Sequence, residues 1–352
     1  MAASLKEVAA RAGVSISTVS RVLNGKTYVN EETRQRVLTI MRQENFQPNA
    51  VAQSLKNGSS NTLALIVPSI QNAIFAPIAR GAEAVARENG YTVFLANTYE
   101  DPAMEAEYIE MMRSRWTDGF IIASAVGSRQ AIYALRDQGT PAVLVNRFDP
   151  EDEGRLSIIS VDNFQAAYDG ASRLIELGYR RIALAMGQRI HYFYRQRLEG
   201  YLQALQDHGL PADEKLILQE RNDADDFYDQ TLRAMQSENP PDVFFATSDP
   251  KALVILHALH AAGYEIPRDV GVLGFDNIDF SLLTEPGLST VSQPLYDLGA
   301  EAARNVINQI QVKAAQGTLP PAAHLHLPHT LVMRGSLRES AAAQRDPSDG
   351  AG

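Results

Sequence analysis

From residue 62 onward the chain repeats one pattern, in which short runs of apolar and β-branched residues alternate with amphipathic stretches. Strands that alternate with helices form parallel sheets covered by helices on both faces. The runs fall into two series, so we expect an α/β fold with two doubly wound lobes. The first series covers residues 63–67, 92–95, 119–122 and 142–145, and the second covers 158–161, 181–184, 242–245 and 270–273.

Polar side chains follow several of these predicted strands. The edge where parallel strands end is the usual place for a ligand, and two facing lobes form a cleft that closes by hinge motion. Carboxylates, carboxamides and guanidinium groups there can hydrogen-bond the vicinal hydroxyls of a sugar in both directions. Asp and Asn after a strand also cap helices or form turns, so spacing alone leaves both roles open. The residues are Asn72, Asn146, Arg147, Asp162, Asn163, Arg197, Ser248, Asp249 and Asp276.

Aromatic residues accompany these polar groups. Phe75 follows the first strand and could cover the apolar face of a sugar. The cluster His191-Tyr192-Phe193-Tyr194 lies just before Arg197. Its side chains either line the cleft or pack the lobe.

The first sixty residues differ from the rest in charge. They hold eight lysines and arginines against four glutamates, although the whole 352-residue chain has a net charge of −10. A basic head on an acidic body separates two roles, because the head can attract nucleic-acid phosphates while the body repels them. A short segment can also reach this charge by chance, so charge alone does not establish DNA binding.

The head itself has the pattern of short helices. Residues 5–12 carry one apolar helical stripe, Ser4 and Glu7 form a capping box, and Gly13 ends the helix. Ser15 can cap a second helix from Ile16 to Asn24. Two helices joined by a glycine turn predict a helix-turn-helix, whose second helix enters the major groove of DNA. An ordinary helical hairpin has the same pattern.

Further helical segments follow in the head. A third helix is expected from about Glu31 to Asn45, with Asn30 as its cap and Pro48 as its stop. Residues 49–56 form a weak helix that is too short to be stable alone, and residues 57–61 have the composition of a linker.

The runs LKEVAARAGVSISTVSRVLNG, VNEETRQRVLTIM and FQPNAVAQSLKNG resemble the lactose-repressor (LacI) family of bacterial transcription regulators, and the similarity continues to about residue 338. The resemblance implies that residues 49–56 are a hinge helix that orders when two copies pair on DNA. It also implies DNA contacts: bases for Ile16, Ser17 and Arg21, phosphates for Thr18, Ser20 and Asn24, and a minor-groove wedge for Leu55. Ile16 is apolar, so a thymine methyl is its expected target, and the Arg21 fork suits guanine.

The resemblance extends to the cleft. It implies effector contacts by Asn72, Phe75, Asn146, Arg197, Asp276 and Gln293, and we keep His191 and Ser248 as further candidates. The sequence departs from the family in the loop 222–228, where Asp226 occupies the position of a stacking aromatic residue. Ser248 is only weakly diagnostic. The identity of the effector therefore stays open at this point.

Other patterns in the chain are weak. Ser248-Asp249-Pro250-Lys251 matches the S-x-x-K of penicillin-binding enzymes, but the companion motifs are missing. His324 and His326 alternate on a predicted strand and His329 follows, yet no carboxylate accompanies them at ligand spacing, so no metal site is expected. There is no Gly-rich dinucleotide or phosphate-binding motif, and no cofactor is expected.

These observations predict an effector-responsive transcriptional regulator, most simply a homodimeric repressor of a palindromic, double-stranded operator. Residues 1–48 would bind DNA, 49–61 form the hinge and linker, 62–338 bind the effector and dimerise, and 339–352 form a disordered tail. A carbohydrate is the expected effector, with a purine or nucleoside as the alternative. We expect a cytoplasmic location, because the chain has no signal sequence, no membrane-spanning run and no cysteine. A transport-type solute-binding protein would lack the basic head, and an enzyme would need a nucleophile–base pair or metal site.

Overall fold

The computed structural model describes residues 4–23, 28–44, 46, 59–115, 117–123, 129–221 and 226–339. The chain divides into two compact units, residues 1–60 and 61–352. Residues 49–56, predicted to form the hinge helix, residues 222–225 and the residues from 340 onward lie outside the described residues. The predicted domain boundaries at 48 and 61 therefore stay predictions.

The first unit is a cluster of three helices around one apolar core. The Ser4 and Glu7 capping box is present, and Gly13 adopts the left-handed conformation with φ of 63°. Ser15 accepts a hydrogen bond from the Thr18 N–H, as expected of a cap. The helices are α1 (Leu5–Ala12), α2 (Ile16–Leu23) and α3 (Glu31–Gln43), and their core is Val8, Ala9, Ala12, Val19, Val22, Val37 and Met41.

Helix α3 confirms its predicted cap but ends earlier than expected. The Asn30 carboxamide accepts from the Thr33 N–H at 2.8 Å. The helix ends at Gln43, two residues before the predicted end, where the Phe46 N–H bonds back five residues to the Met41 carbonyl in place of the four-residue spacing of the helix.

The second unit consists of two lobes, and the predicted α/β architecture is confirmed. Lobe 1 has a six-stranded parallel sheet in the order β11-β5-β4-β3-β1-β2. Its strands are β1 (Thr62–Val67), β2 (Thr92–Asn97), β3 (Gly119–Ile122), β4 (Ala142–Val145), β5 (Ser157–Val161) and β11 (His324–Leu327), and its helices are α4 (Phe75–Glu88), α5 (Pro102–Arg115) and α6 (Arg129–Asp137).

Lobe 2 has a sheet of the same size in the order β12-β10-β9-β8-β6-β7, with only β12 antiparallel to its neighbour. The strands are β6 (Ile182–Met186), β7 (Ile217–Gln219), β8 (Val243–Ala246), β9 (Gly271–Asp276), β10 (Ser289–Ser292) and β12 (Thr330–Val332). The helices are α7 (Asn163–Glu176), α8 (Tyr192–Asp207), α9 (Asp226–Met235) and α10 (Asp249–Ala261).

The assignment of residues 158–161 to the second series is wrong. Strand β5 belongs to lobe 1, where Leu144 of β4 pairs with Ile158. The strand pattern is the same in both lobes, so it cannot show that the chain crosses to lobe 2 after β5 and not before it. The chain therefore crosses from one lobe to the other after β5, after β10 and between β11 and β12.

The last long helix, α11 (Leu295–Gln316), follows β10 of lobe 2 but packs in the core of lobe 1. Its Gly299 touches α4 so closely that a Cβ there would lie 1.9 Å from the Ile78 carbonyl oxygen. This close approach explains why glycine stands inside the helix. Among the described residues, no helix is both long and apolar enough to span a bilayer.

Candidate functional site

One face of α2 is exposed and carries the predicted base-reading residues. Val19 and Val22 bury the opposite face against α1 and α3. Ile16 is 48% exposed, so its apolar side chain is accessible on this face. Ser17 and Arg21 are exposed beside it, and the Arg21 guanidinium has no ion pair within the described residues. The structure thus brings Ile16, Ser17 and Arg21 to one accessible surface.

The residues predicted to contact DNA phosphates are less exposed than the predicted base-reading residues, or lie outside the described part of the chain. Thr18 is half-buried, and its hydroxyl shares a hydrogen bond with Ser15 at 2.8 Å. Ser20 is also half-buried. Asn24 and Leu55 lie outside the described residues, so their assigned roles stay predictions.

In the second unit, lobe 1 contributes three of the predicted effector residues. Asn72 accepts from the Ile74 N–H at 3.3 Å, which is the turn geometry that the sequence left open. Phe75, the first residue of α4, is 2% exposed. Asn146 follows β4 with φ of 65°, and its buried carboxamide oxygen has no hydrogen-bond partner in the described part of the chain. Such an unpaired buried acceptor is costly unless a ligand or a water donates to it.

Arg197 on α8 is buried in lobe 2. Its Nε donates to the Asn163 side chain at 2.9 Å and its Nη1 to the Thr247 carbonyl at 2.5 Å. Its guanidinium carbon lies 3.6 Å from the centre of the Phe275 ring. Burial lowers the pKa of Arg197, although nearby Asp276 opposes this effect.

Asp276 ends β9 and is also buried. Its carboxylate accepts from Gln293 Nε2 at 2.7 Å, whereas the Gln293 carboxamide oxygen is a second buried acceptor without a partner among the described residues. Burial raises the pKa of Asp276 to about 7, and the charge of Arg197 only partly opposes the shift. The φ of Asp276 is 121°, a strained value for a residue with a side chain. Strain and a perturbed carboxyl together are typical of a functional site.

Asp249 supports the loop that carries Asp276. Its carboxylate accepts from the Ile278 N–H at 3.0 Å, from Ser281 at 2.5 Å and from Thr290 at 2.7 Å. Burial raises the pKa of Asp249 in spite of these bonds. Asp249 therefore positions the loop after β9 and is held too tightly to receive a ligand itself.

The aromatic cluster 191–194 lies where the lobes meet. Tyr192 packs edge-on against Phe148 of lobe 1 at 5.6 Å between ring centres, so this member packs the lobes together. His191 is half-buried, stacks on Phe193 at 5.6 Å, and has a pKa lowered by burial and then by Arg147. A cavity of about 280 Å³ opens here between residues 147–149 of lobe 1 and 188–193 of lobe 2.

Ser248 is tied to a residue outside the predicted effector set. The Lys251 ammonium donates to Ser248 Oγ at 3.4 Å and to the Tyr194 hydroxyl at 3.1 Å, and it pairs with Glu220 at 3.3 Å. Burial alone would lower the pKa of Lys251, but Tyr194 and Glu220 outweigh burial and raise it. In the sequence, the S-x-x-K spacing is the feature that indicates this contact, since it places Ser248 and Lys251 on the same side of the first turn of α10.

Other sequence candidates have structural partners. Asp162 caps α7 by accepting from the Gln165 N–H at 2.9 Å. Ser160 bonds His324 at 2.9 Å, and His329 bonds Asp169 at 2.9 Å. Within the described ranges no group of three or more His, Asp and Glu side chains could hold a metal ion.

The chain matches two family models in succession. Residues 4–49 match "Bacterial regulatory proteins, lacI family" and residues 60–328 match "Periplasmic binding proteins and sugar binding domain of LacI family". It is 36% identical to the HTH-type transcriptional regulator RegA of Clostridium acetobutylicum over 96% of this chain and all of that protein.

Two solved structures share the fold. A complex of the transcriptional regulator CelR with cellobiose has a TM-score of 0.71 at 28% identity, covering 95% of this chain and 99% of that one. A Lac repressor dimer bound to operator and an anti-inducer has a TM-score of 0.84 at 24% identity, and the match covers 96% of this chain and 100% of that one.

Proposed function

Because this chain belongs to the lacI family of bacterial regulatory proteins, whose members are DNA-binding transcriptional regulators, we propose that it is a homodimeric repressor whose affinity for a palindromic operator is set by a carbohydrate bound between its lobes. CelR binds cellobiose, which supports the choice of a carbohydrate over a nucleoside.

The exposed face of α2 carries the DNA-binding part of the proposal. Ile16 and Arg21, whose guanidinium has no ion pair in the described part of the chain, lie on a helix with a well-packed opposite face. Ile16 can make an apolar contact with a thymine methyl, and Arg21 can donate two hydrogen bonds to the O6 and N7 of a guanine. The apolar Ile16 is exposed at a cost that burial against a base would recover.

The cleft carries the regulatory part. Asn146 belongs to lobe 1, whereas Arg197 and Asp276 belong to lobe 2, so one ligand can touch both lobes. A ligand moves a conformational equilibrium only by its different affinity for the two states, and bridging two lobes provides that difference. The carboxamide oxygens of Asn146 and Gln293, which lack partners among the described residues, would accept from sugar hydroxyls.

Strand β2 supports the homodimer. It is the edge strand of lobe 1, and Phe94 and Leu95 on its two faces are 54% and 46% exposed. Ile70 and Tyr99 beside it are 61% and 70% exposed. An unpaired edge with contiguous apolar residues is a surface for association, and a second copy is the partner we assign to it.

We assign the protein no catalytic role. The nucleophile pattern that the sequence offers, Ser248 with Lys251, lacks a free base, because the Lys251 ammonium is held by Glu220 at 3.3 Å and donates to the Ser248 oxygen. Because its proposed target is bacterial DNA, the location we assign to the chain is the cytoplasm.

Operator binding tests the proposal. Sites would be selected from random duplexes with the full chain, and affinities measured by fluorescence anisotropy at fixed salt. We expect Arg21→Ala to lose about 1–3 kcal/mol on the selected site and much less on random DNA, since it removes a base contact. Arg36→Ala, an exposed arginine of α3, is the matched control. Equal weakening of selected and random DNA by Arg21→Ala would remove Arg21 from base recognition.

A further inference from the structure

Three cations surround one aromatic pair in the cleft. The rings of Phe193 and Tyr194 have centres 4.2 Å apart. The guanidinium carbons of Arg147 and Arg197 each lie 5.4 Å from the centre of the Phe193 ring, and Lys251 Nζ lies 5.2 Å from that of Tyr194. Arg147 comes from the loop after β4, Arg197 from α8 and Lys251 from α10, so different elements converge here.

Lys251 pairs with Glu220 at 3.3 Å, so the incompletely compensated cations are the two arginines. Arg147 bonds the half-exposed Glu100 at 3.2 Å, and Arg197 donates to neutral oxygens with no carboxylate within 4 Å among the described residues. Burial lowers the pKa of Arg197, and the positive charge of Arg147 adds to this effect, so the two guanidinium groups repel each other. An anion between the lobes would relieve this repulsion.

Lys251 also sets the direction of two hydroxyl groups. An ammonium only donates, so the Ser248 and Tyr194 oxygens accept from Lys251 and their own hydrogens point elsewhere. Ser248 follows β8, at the strand ends where such sheets bind ligands. With the two guanidinium groups, this wall of the cleft offers several donors, and the carboxylates beside it, Glu100 and Glu220, already pair with Arg147 and Lys251. Its complement is a group that only accepts, namely an oxyanion.

We infer that the effector is an acidic carbohydrate, whose carboxylate or phosphate group docks against Arg147, Tyr194 and Ser248 while its hydroxyls meet Asp276 and Gln293. This inference rests on the proposed function and names the ligand class of the same cleft. The carboxylate and the phosphate ester share the chemistry of an oxyanion, and the arms of the experiment below separate them.

The first measurement tests the oxyanion site without choosing a sugar. Thermal unfolding of the full chain would be followed in inorganic phosphate and in sodium chloride of equal ionic strength. The double variant Lys251→Met with Glu220→Gln removes the ammonium without leaving its carboxylate partner unpaired. We expect phosphate to raise the wild-type midpoint by about 2 °C or more and to have no such effect on the double variant. Lys313→Met, an exposed lysine of α11, should behave as wild type.

The second measurement compares matched sugars by calorimetry. Glucose, glucuronate and glucose 6-phosphate form one set, and galactose, galacturonate and galactose 6-phosphate form another. We expect one acid to bind at least tenfold more tightly than its neutral parent, with that preference lost in the double variant. A preference for carboxylate or phosphate identifies the group.

Two other results are informative. If phosphate stabilises all three proteins equally, or if neutral parents bind as tightly as their acids, the inference is overturned while the proposed function stands. If no sugar of either kind binds and operator affinity never responds, the carbohydrate effector of the proposed function fails as well.

Discussion

Asp276→Asn should make the protein more stable than wild type by an amount that depends on pH. Burial raises the pKa of Asp276 to about 7 in the folded state, against an ordinary value of 3.8. When the pKa of a carboxyl is higher in the folded than in the unfolded state, its protonated form stabilises the folded protein. This contribution is complete at a pH below the unfolded-state pKa and is lost as the pH rises through the folded-state pKa. Wild type therefore loses stability between about pH 4 and pH 7, whereas the carboxamide of the variant does not titrate.

The size of the effect follows from the same values. A shift of one pKa unit corresponds to about 1.4 kcal/mol, so a shift of about three units sets an upper limit of roughly 4 kcal/mol. Asn is compatible with the site, because its Oδ1 can accept from Gln293 Nε2 as the carboxylate does, and its Nδ2 can donate to the Gln293 carboxamide oxygen, which has no partner among the described residues.

Urea unfolding of both proteins at pH 4.5, 6 and 8 measures the difference. Groups that do not interact with Asp276 titrate alike in both proteins and cancel in the comparison, whereas Asp249, whose charge acts on Asp276, contributes to the difference. We expect the stability advantage of Asp276→Asn to grow between pH 4.5 and 6 and then to level off above pH 7. An advantage that stays constant with pH would show that Asp276 is ionised in the folded protein, and the burial argument would be refuted.

Two further predictions concern packing and assembly. Gly299→Ala should destabilise the second unit by about 1–3 kcal/mol or more, because its Cβ would meet the Ile78 carbonyl at 1.9 Å, whereas Arg304→Ala on the exposed face of α11 should change the urea midpoint little. Phe94→Lys on the edge strand β2 should shift sedimentation toward the monomer, while Leu325→Lys on the opposite edge strand β11 of the same sheet should not; a dimer that survives Phe94→Lys would move the association surface elsewhere.

Local features of the chain were predictable from the sequence. The Ser4 capping box, the left-handed Gly13 and the Asn30 cap all depend on residues within four positions of one another, so the sequence specifies them directly. The alternation of strands and helices likewise identified the fold, because each strand is marked by its own apolar run.

Features that depend on distant residues were harder to predict. Strand β5 was placed in the wrong lobe because its partners β4 and β11 are decided by where the chain crosses over. Lys251 looked like a chance match until the fold brought Tyr194 and Glu220 to its ammonium. In the sequence Arg147 is one of several polar residues that follow a strand, and only its contact with Phe193 of the other lobe places it in the cleft.

The central claim is that a ligand in the cleft controls operator affinity through Arg197 and Asp276. The most direct measurement is an operator titration with and without each sugar of the matched sets, on wild type and on Arg197→Ala and Asp276→Ala. One sugar should change the wild-type operator affinity at least tenfold, and neither variant should respond at the concentrations that suffice for wild type. If both variants respond as wild type does, the two residues only support the loops of lobe 2, and the effector site lies elsewhere.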